Sequence, residues 1–230
     1  DLQEQLKRMG KLVWGFGKTA WLEQDRLQLR EWQKYNKMLH PSFCKCTGME
    51  ELKSEIQPND YIKISEHRAD METLKHYSDE CSEQFFDELA VCLGGGKKDM
   101  DFVIEGKVKG IESGFDTWTV NGQMPNKILC GYEIKDQCYI GRWIPQEIMH
   151  RGMNDVNKKL NDLFKKEQTK GFYSTEIICT NRNNGVLLDM TCRMPNPPYQ
   201  SYMMVENLGE VILQGAQGRL VEPKISHKYV

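Results

Sequence analysis

GFYSTEIICTNRNNGVLLDMTCRMPNPP, residues 171–198, is the stretch that decides the fold of this chain, and its pattern predicts a β-hairpin. Segments 173–180 and 186–193 are rich in β-branched and apolar residues, which favour strands. Residues 181–185 between them read NRNNG, which is a strong turn signal. The expected structure is therefore two antiparallel strands joined by a short polar loop.

The strand alternation places polar side chains of the hairpin together on one face. Because successive side chains point to opposite faces, Asp189, Thr191 and Arg193 should lie side by side. The opposite face should then carry Val186, Leu188, Met190 and Cys192. If residues 181–184 form a four-residue loop, Glu176 lies directly across from Asp189, with Cβ atoms roughly 5 Å apart.

Two carboxylates at that separation either share a proton or bind a cation. Oxygen-only ligands favour Mg²⁺ or Mn²⁺, which often bind through one or two carboxylates together with nucleotide phosphates. Arg193, close to this pair in sequence, suits a phosphate or carboxylate that the cation also touches. An ordinary hairpin with a polar outer face explains the same pattern, and the hairpin alone does not decide between the two interpretations.

Composition places the chain among ordinary globular proteins. It has 230 residues, is 39% hydrophobic and 28% charged, and carries a formal net charge of −2. This balance gives no support for a nucleic-acid surface or for binding to an anionic membrane. No apolar run is long enough for a transmembrane helix. Eight scattered cysteines without a zinc-binding spacing predict a reducing compartment, and hence a cytoplasmic location.

The remaining periodicity predicts an α+β fold with two antiparallel sheets. Predicted helices span residues 20–39, 50–56, 71–93, 146–166 and 202–214. Predicted strands, besides the hairpin, span residues 11–16, 61–65, 101–105, 111–120, 128–134 and 138–144.

Three charged residues of these elements allow two interpretations each. Arg30 lies on the first helix, where spacing alone favours a solvated face. Lys63 lies at mid-strand, either on a solvated face or reaching for an anion. Asp116 shares a strand face with Glu112 and is either a site carboxylate or solvated.

The element order and four ordered motifs resemble the ATP-grasp superfamily, nearest to carboxylate–amine ligases related to phosphoribosylamine–glycine ligase. The motifs are AWLEQDRLQLREW, YIKISEHRADMETLKH, FVIEGKVKGIE and the hairpin itself, and the resemblance extends from about Trp14 to Gly209. The resemblance implies two α+β lobes with antiparallel sheets and a nucleotide cleft between them.

The resemblance also implies which residues would contact ATP. Arg30 corresponds to a basic residue that reaches the phosphates, Lys63 to the lysine on the α- and β-phosphates, and Arg68 to part of the phosphate loop. Glu112 corresponds to the glutamate that holds the ribose hydroxyls. The interlobe hinge that pairs with adenine through its backbone corresponds to Glu105, Gly106, Lys107 and Val108.

The hairpin matches the metal-binding part of the family pattern. Glu176 and Asp189 correspond to the two acidic Mg²⁺ ligands, and Thr191 stands where the family commonly has Asn. Arg193 matches the arginine that holds the substrate carboxylate or the transferring phosphoryl group, so Arg193 and Lys63 are the expected catalytic residues.

Family members carry a three-layer domain before this module, and only its last strand, at 11–16, is recognised. The expected division is a remnant of that domain at 1–19, a helix plus smaller lobe at 20–105, a larger lobe with the metal site at 106–220, and a tail at 221–230. A missing N-terminal domain or a partner subunit would then supply much of the acceptor pocket.

The implied function is an ATP- and Mg²⁺-dependent ligase that joins a small-molecule carboxylate to an amine through an acyl phosphate. Two alternatives remain open. One is a catalytically degenerate ATP-binding module or a subunit of a split ligase. The other is an α+β interaction domain, in which the polar hairpin face would be plain surface.

Overall fold

The computed structural model describes residues 2–65, 73–76, 79–134, 138–195 and 202–227. The chain folds as two compact units, a smaller one formed by Glu23–Val108 and a larger one formed by Asp1–Leu22 with Lys109–Val230. No helix within these described residues is long and apolar enough to cross a membrane.

Helices and strands alternate along both units. The α-helices are α1 (Leu2–Arg8), α2 (Trp21–Gln24), α3 (Arg26–Tyr35), α4 (Gly48–Glu55), α5 (Asp79–Leu93), α6 (Arg151–Glu167) and α7 (Leu208–Ala216). The strands are β1 (Phe43–Thr47), β2 (Tyr61–Ile64), β3 (Thr73–Lys75), β4 (Asp101–Glu105), β5 (Ile111–Val120), β6 (Lys127–Ile134), β7 (Cys138–Pro145), β8 (Lys170–Cys179) and β9 (Gly185–Thr191). Short 3₁₀ helices span Gly17–Ala20, Gly94–Lys98 and Gln146–Ile148.

The smaller unit contains a four-stranded antiparallel sheet in the order β1-β4-β2-β3. The apolar side chains of one face pack with residues of α4 and α5 into a core formed by Cys46, Met49, Leu52, Ile56, Ile62, Ile64, Phe86, Leu89, Phe102 and Ile104. Because side chains alternate, Lys63, Val103 and Glu105 point from β2 and β4 to the other face. The strand alternation thus separates an apolar face from a charged one.

The larger unit contains a five-stranded antiparallel sheet in the order β7-β6-β5-β8-β9. Helix α6 lies against one face, where Tyr173 donates a 3.1 Å hydrogen bond to Asn157 and packs edge-on against Phe164. The opposite face is partly covered by the segment around α7, in an apolar cluster of Trp118, Val120, Leu129, Trp143, Phe172, Tyr202, Val205 and Val211. Both predicted sheets and the α+β class are therefore confirmed.

The β8–β9 hairpin contains a β-bulge that the sequence pattern does not reveal. Cys179 pairs with Gly185, so the loop is one residue longer than the predicted four. The register shifts between Glu176 and Ile177, which leaves Leu188 as the extra residue of β9. The longer loop and the bulge compensate, and Glu176 pairs with Asp189 as predicted.

The bulge corrects the predicted inner face of β9. Ile177 pairs with Leu187, which is fully buried, while Leu188 is half-buried. Leu187 therefore takes the inward position that simple alternation assigned to Leu188, because the extra residue shifts the alternation on the loop side of the bulge by one position.

The predicted helix over 20–39 is interrupted at Asp25. Asp25 has an extended backbone, and its carboxylate accepts a 2.9 Å hydrogen bond from the amide of Gln28, so it caps α3. Helix α3 ends at Tyr35 rather than at residue 39, with Lys37 in the left-handed region.

Several other predicted boundaries were wrong. The helix predicted from 71 begins only at Asp79, since residues 73–75 pair with β2 as strand β3. Strand β1 was not predicted, the strand predicted over 11–16 is reduced to a single bridge between Gly15 and Lys170, and the last helix begins at Leu208 rather than at 202. Each difference comes from tertiary pairing or capping that overrides local periodicity.

Candidate functional site

Four polar side chains form a buried charge cluster in the smaller unit: Arg30, Gln33, Lys63 and Glu105. Arg30 Nε donates a 2.6 Å hydrogen bond to Glu105 Oε1, and Arg30 Nη1 donates one of 2.8 Å to Gln33 Oε1. Lys63 Nζ lies 3.5 Å from Glu105 Oε2. The side chains of Arg30, Lys63 and Glu105 are only 1%, 5% and 4% exposed, so one buried carboxylate is shared by two buried cations.

The local folds of α3, β2 and β4 bring these side chains together. The amide of Arg26 donates to Ser65 O at 2.8 Å, which fixes the start of α3 beside the end of β2. Arg30 follows one turn later and Gln33 three residues beyond it, so they are neighbours on α3. Lys63 pairs with Val103, so it lies diagonally across from Glu105 on the same face of the sheet. The solvated helix face that spacing alone favoured for Arg30 is therefore wrong.

The segment after β4 carries the residues that resemble an adenine hinge. Glu105 is the last residue of β4, and the amide of Gly106 donates a 2.9 Å hydrogen bond to Ser42 O. A Cβ on Gly106 would overlap the hydroxyl of Ser42, which would have to rotate away. Lys107 is exposed and Val108 is half-buried.

A second group of charged residues lies on the sheet of the larger unit, on the face opposite α6. Glu176 and Asp189, which we term the carboxylate pair, are cross-strand neighbours at half-buried positions. Asp189 Oδ1 accepts a 3.0 Å hydrogen bond from the amide of Met190. Thr191 is half-buried opposite Ser174 at the end of β9.

The remaining residues of this group lie beside the carboxylate pair or just beyond it. Glu112 pairs with Ile178, so it lies diagonally across from Glu176 on the same face of the sheet. Arg193 is exposed, two residues after β9 ends. The face therefore combines a carboxylate from β5 with one each from β8 and β9.

The turn of the hairpin is held by its own side chains and by α6. Asn181 Oδ1 accepts hydrogen bonds from the amides of Asn183 and Asn184, at 2.9 and 3.0 Å. Gly152 of α6 approaches Gly185 so closely that a Cβ on either would overlap backbone atoms. This contact anchors the end of the hairpin and thereby fixes the position of β9.

The donor atoms of the carboxylate pair fit a magnesium ion. Within the described ranges, no group of three or more His, Cys, Asp or Glu side chains is placed to hold a metal ion. Two carboxylates are nevertheless the complement that Mg²⁺ commonly takes from a protein when nucleotide phosphates and water supply its other ligands.

Sequence patterns did not identify the environment of Asp116. It is only 3% exposed, and Tyr139 donates a 2.9 Å hydrogen bond to its Oδ2. Burial raises the pKa of Tyr202, and the nearby Asp116 carboxylate raises it further. The solvated alternative for Asp116 is therefore excluded. The only feature of the sequence that pointed to a buried position was the strand face that Asp116 shares with Glu112.

The structure thus assembles two groups from the predicted residues. Arg30, Lys63 and Glu105 meet in the smaller unit, and Glu176 meets Asp189 in the larger one. Arg68 lies outside the described residues. Gln33 was missed, although its spacing from Arg30 on a helix places the two side chains together.

The comparisons give the family context of this arrangement. No protein-family model matches the sequence, and no curated protein matches it. The fold is similar to that of phosphoribosylamine–glycine ligase from Thermotoga maritima, with a TM-score of 0.71, 17% identity and coverage of 92% of this chain and 60% of that one.

Two further solved structures have the same architecture. D-alanine–D-alanine ligase from Bacillus anthracis, complexed with ATP, matches with a TM-score of 0.63 and 14% identity over 94% of this chain and 74% of that one. L-amino acid ligase from Bacillus licheniformis matches with a TM-score of 0.64 and 14% identity over 97% of this chain and 54% of that one.

This chain spans about 60% of the length of the phosphoribosylamine–glycine ligase. Its two antiparallel sheets follow the architecture of these ligases over nearly all of its own residues. The resemblance inferred from the motifs is thereby confirmed at the level of the fold, and the chain has the ATP-grasp fold seen in these three solved structures.

Proposed function

We propose that this chain is the nucleotide-binding module of an ATP- and Mg²⁺-dependent ligase that joins a carboxylate to an amine, as in phosphoribosylamine–glycine ligase. The observation that carries the proposal is the carboxylate pair, Glu176 opposite Asp189, on the sheet of an ATP-grasp fold. The buried charge cluster adds support, because Arg30 and Lys63 are the two cations that the resemblance assigns to the phosphates.

The proposed contacts of the site residues with ATP and Mg²⁺ follow the family resemblance. Arg30 and Lys63 neutralise phosphate charge, together with Arg68. The backbone of Glu105–Val108 pairs with adenine and Glu112 with the ribose hydroxyls. The magnesium ligands would be Glu176, Asp189 and Thr191.

The chemistry follows from positioning and charge neutralisation. A substrate carboxylate oxygen attacks the γ-phosphorus, the bond to the β-phosphate oxygen breaks, and ADP leaves. Mg²⁺ supplies neutralisation of the phosphate oxygens when bound. Arg193 holds the substrate carboxylate or the transferring phosphoryl group in line.

The second half of the reaction forms the amide. The amine nitrogen attacks the acyl carbon, phosphate leaves with the electrons of the broken C–O bond, and the nitrogen loses a proton. Exclusion of water protects the acyl phosphate from hydrolysis. A further domain or a partner subunit would supply much of the acceptor pocket.

A thermal melt with and without ATP and Mg²⁺ tests the nucleotide site. A ligand that binds only the folded protein stabilises it by about 2.7 kcal/mol at a hundredfold excess over Kd. We expect a shift of several degrees that requires Mg²⁺ and is lost in Asp189→Ala. Asp162→Ala, which removes an exposed acid from α6 of the same unit, is the matched control.

Turnover decides between a ligase and a binding module. ADP release that depends on both a carboxylate and an amine, and that Asp189→Ala abolishes, supports the ligase. Mg²⁺-dependent stabilisation without turnover identifies a nucleotide-binding module or one subunit of a split enzyme. A normal rate in Asp189→Ala, or no shift at millimolar ATP, contradicts the proposal.

A further inference from the structure

Glu105 connects two cations that come from different elements of the smaller unit. Its Oε1 accepts from Arg30 of α3 at 2.6 Å, while its Oε2 lies 3.5 Å from Lys63 of β2. One carboxylate therefore sets the separation of two long side chains that are 33 positions apart in sequence. Each oxygen of Glu105 faces one of the two cations, so a single carboxylate can hold both.

The backbone that carries this carboxylate is paired on both sides. Glu105 is the last residue of β4, a strand with neighbours on both sides, and it pairs with Phe43 on one side and Tyr61 on the other. The residue is 3% exposed. A carboxylate on a central strand transmits the fixed geometry of the sheet to whatever it holds.

The opposite side of Arg30 is also fixed. Gln33 accepts from Arg30 Nη1, so the planar guanidinium is held from two directions. Lysine and arginine side chains lose much rotamer freedom when they bind a ligand. Ordering them before the ligand arrives removes that loss from the free energy of binding.

We propose that Glu105 is a positioning residue whose carboxylate holds Arg30 and Lys63 in place for the phosphates of a bound nucleoside triphosphate. This inference rests on the proposed function, since it requires a triphosphate at these cations. It adds a side-chain role for Glu105, which the family resemblance connects only with a backbone contact to adenine.

A purely structural role predicts a different result. If the cluster only stabilises the fold, its disruption should weaken all nucleotide contacts together. If Glu105 positions the cations, the effect should fall on phosphates and spare the nucleoside. The affinities for ATP and for adenosine therefore separate the two roles.

The experiment compares Glu105→Gln and Glu105→Asp with the unaltered chain. Glu105→Gln keeps the shape and an acceptor oxygen but removes the charge. Glu105→Asp keeps the charge on a stem too short to reach both cations. Asp101→Asn is the matched control, because Asp101 lies on the same strand and pairs with the partly exposed Lys45 at 2.7 Å.

Titration calorimetry with ATP–Mg²⁺ and with adenosine at millimolar concentration provides the readout. We expect Glu105→Gln to weaken ATP binding by about tenfold or more, the size of a lost hydrogen bond between charged groups. Adenosine affinity should stay within about twofold, and Asp101→Asn should bind both ligands like the unaltered chain.

Two results would overturn the inference: equal losses for ATP and adenosine, or unchanged ATP affinity in Glu105→Gln. Circular dichroism reports whether each variant folds. If Glu105→Gln does not fold, Glu105→Asp must show the same selective loss of ATP affinity in smaller degree. If the unaltered chain does not bind ATP, the proposed function is refuted together with this inference. If the unaltered chain binds ATP but the Glu105 variants show no selective loss, only the inference about Glu105 is refuted.

Discussion

The two charged regions of this molecule arrange their carboxylates in opposite ways. In the smaller unit, Glu105 is almost fully buried and shares its two oxygens between Arg30 and Lys63. In the larger unit, Glu176 and Asp189 lie side by side with like charge at half-buried positions. The buried charge cluster surrounds one carboxylate with two cations, whereas the carboxylate pair places two acidic side chains next to each other.

The two arrangements should depend on a ligand to different degrees. A buried group of opposite charges is costly to break but stands assembled before anything binds. Two like charges directly across a sheet destabilise it and favour an added cation. The cluster is therefore expected to control stability and alignment, and the pair to control metal dependence.

The largest expected effect comes from breaking the buried charge cluster. Arg30→Met keeps much of the side-chain length but leaves Glu105 without its 2.6 Å partner. We expect the free energy of unfolding to fall by about 1.5–3 kcal/mol, because Glu105 and Gln33 lose their hydrogen bonds to a charged group while Lys63 remains beside Glu105. Urea denaturation followed by circular dichroism measures the loss.

Lys45→Met is the matched control for that loss. It removes an ion pair of the same sheet, Lys45 with Asp101, whose side chains are 45% and 39% exposed. An exposed pair contributes under about 1 kcal/mol. Equal costs for Arg30→Met and Lys45→Met would break the comparison, because burial would then not distinguish the two ion pairs.

An ionisable group in the apolar core of the smaller unit provides a third case. Burial raises the pKa of Cys46 from 9.0 to about 12, and the neighbouring Glu51 adds to the effect. The folded state keeps the proton after the unfolded chain has lost it. Stability should therefore be fully present below pH 9 and fall as pH rises toward 12, by at most about 1.4 kcal/mol per pH unit.

Cys46→Ala tests this alkaline dependence. Urea denaturation at several pH values from 8 to 11 should show a shallower decline in the variant than in the unaltered chain, where the raised thiol pKa acts. Cys138→Ala, which removes an exposed thiol, should leave the decline unchanged. If the two variants decline in parallel, Cys46 does not account for the alkaline loss.

The sequence predicted one of the two charged regions far better than the other. The period-two alternation of the hairpin, together with an assumed four-residue loop, placed Glu176 opposite Asp189, because the two residues are only 13 positions apart in sequence. Even there, the correct pairing depended on the loop and the bulge at Leu188 compensating each other. Local patterns carry no information about such compensation.

The buried charge cluster was out of reach of local patterns for a physical reason. Arg30 and Glu105 are 75 positions apart and meet only when α3 packs on the charged face of the sheet. A helix with charged residues at i and i+4 appears solvated whether or not a strand covers it. The motif resemblance singled out Arg30 and Lys63 as phosphate contacts, and it assigned Glu105 only a backbone contact to adenine.

Neutralising one member of the carboxylate pair should have a smaller effect that depends on metal. In metal-free buffer, Glu176→Gln keeps the shape of the side chain, so we expect the stability to change by no more than about 1 kcal/mol. In millimolar Mg²⁺ the unaltered chain should gain stability that Glu176→Gln lacks. Melts with EDTA or Mg²⁺ measure both, with Asp162→Asn as the exposed control on α6. Equal gains of stability in Mg²⁺ for the two chains would show that Glu176 holds no metal ion.

The smallest expected effect concerns Asp101, which lies on the same strand as Glu105 but has a side chain that is 39% exposed. Hydrogen bonds from Lys45 and from Thr47, the latter at 2.7 Å, lower the pKa of Asp101 from 3.8. The stability that this carboxylate contributes is present above pH 3.8 and is lost as pH falls through the lowered pKa. Solvent screening keeps this contribution under about 1 kcal/mol. Asp101→Asn should therefore make the decline of stability at low pH only slightly shallower. In 1 M salt, where the Debye length is about 3 Å, the difference between the variant and the unaltered chain should disappear. A large, salt-resistant effect would mean that the position on β4, rather than burial, decides how much a carboxylate contributes to the free energy of unfolding. The contrast between Asp101 and Glu105 would then fail.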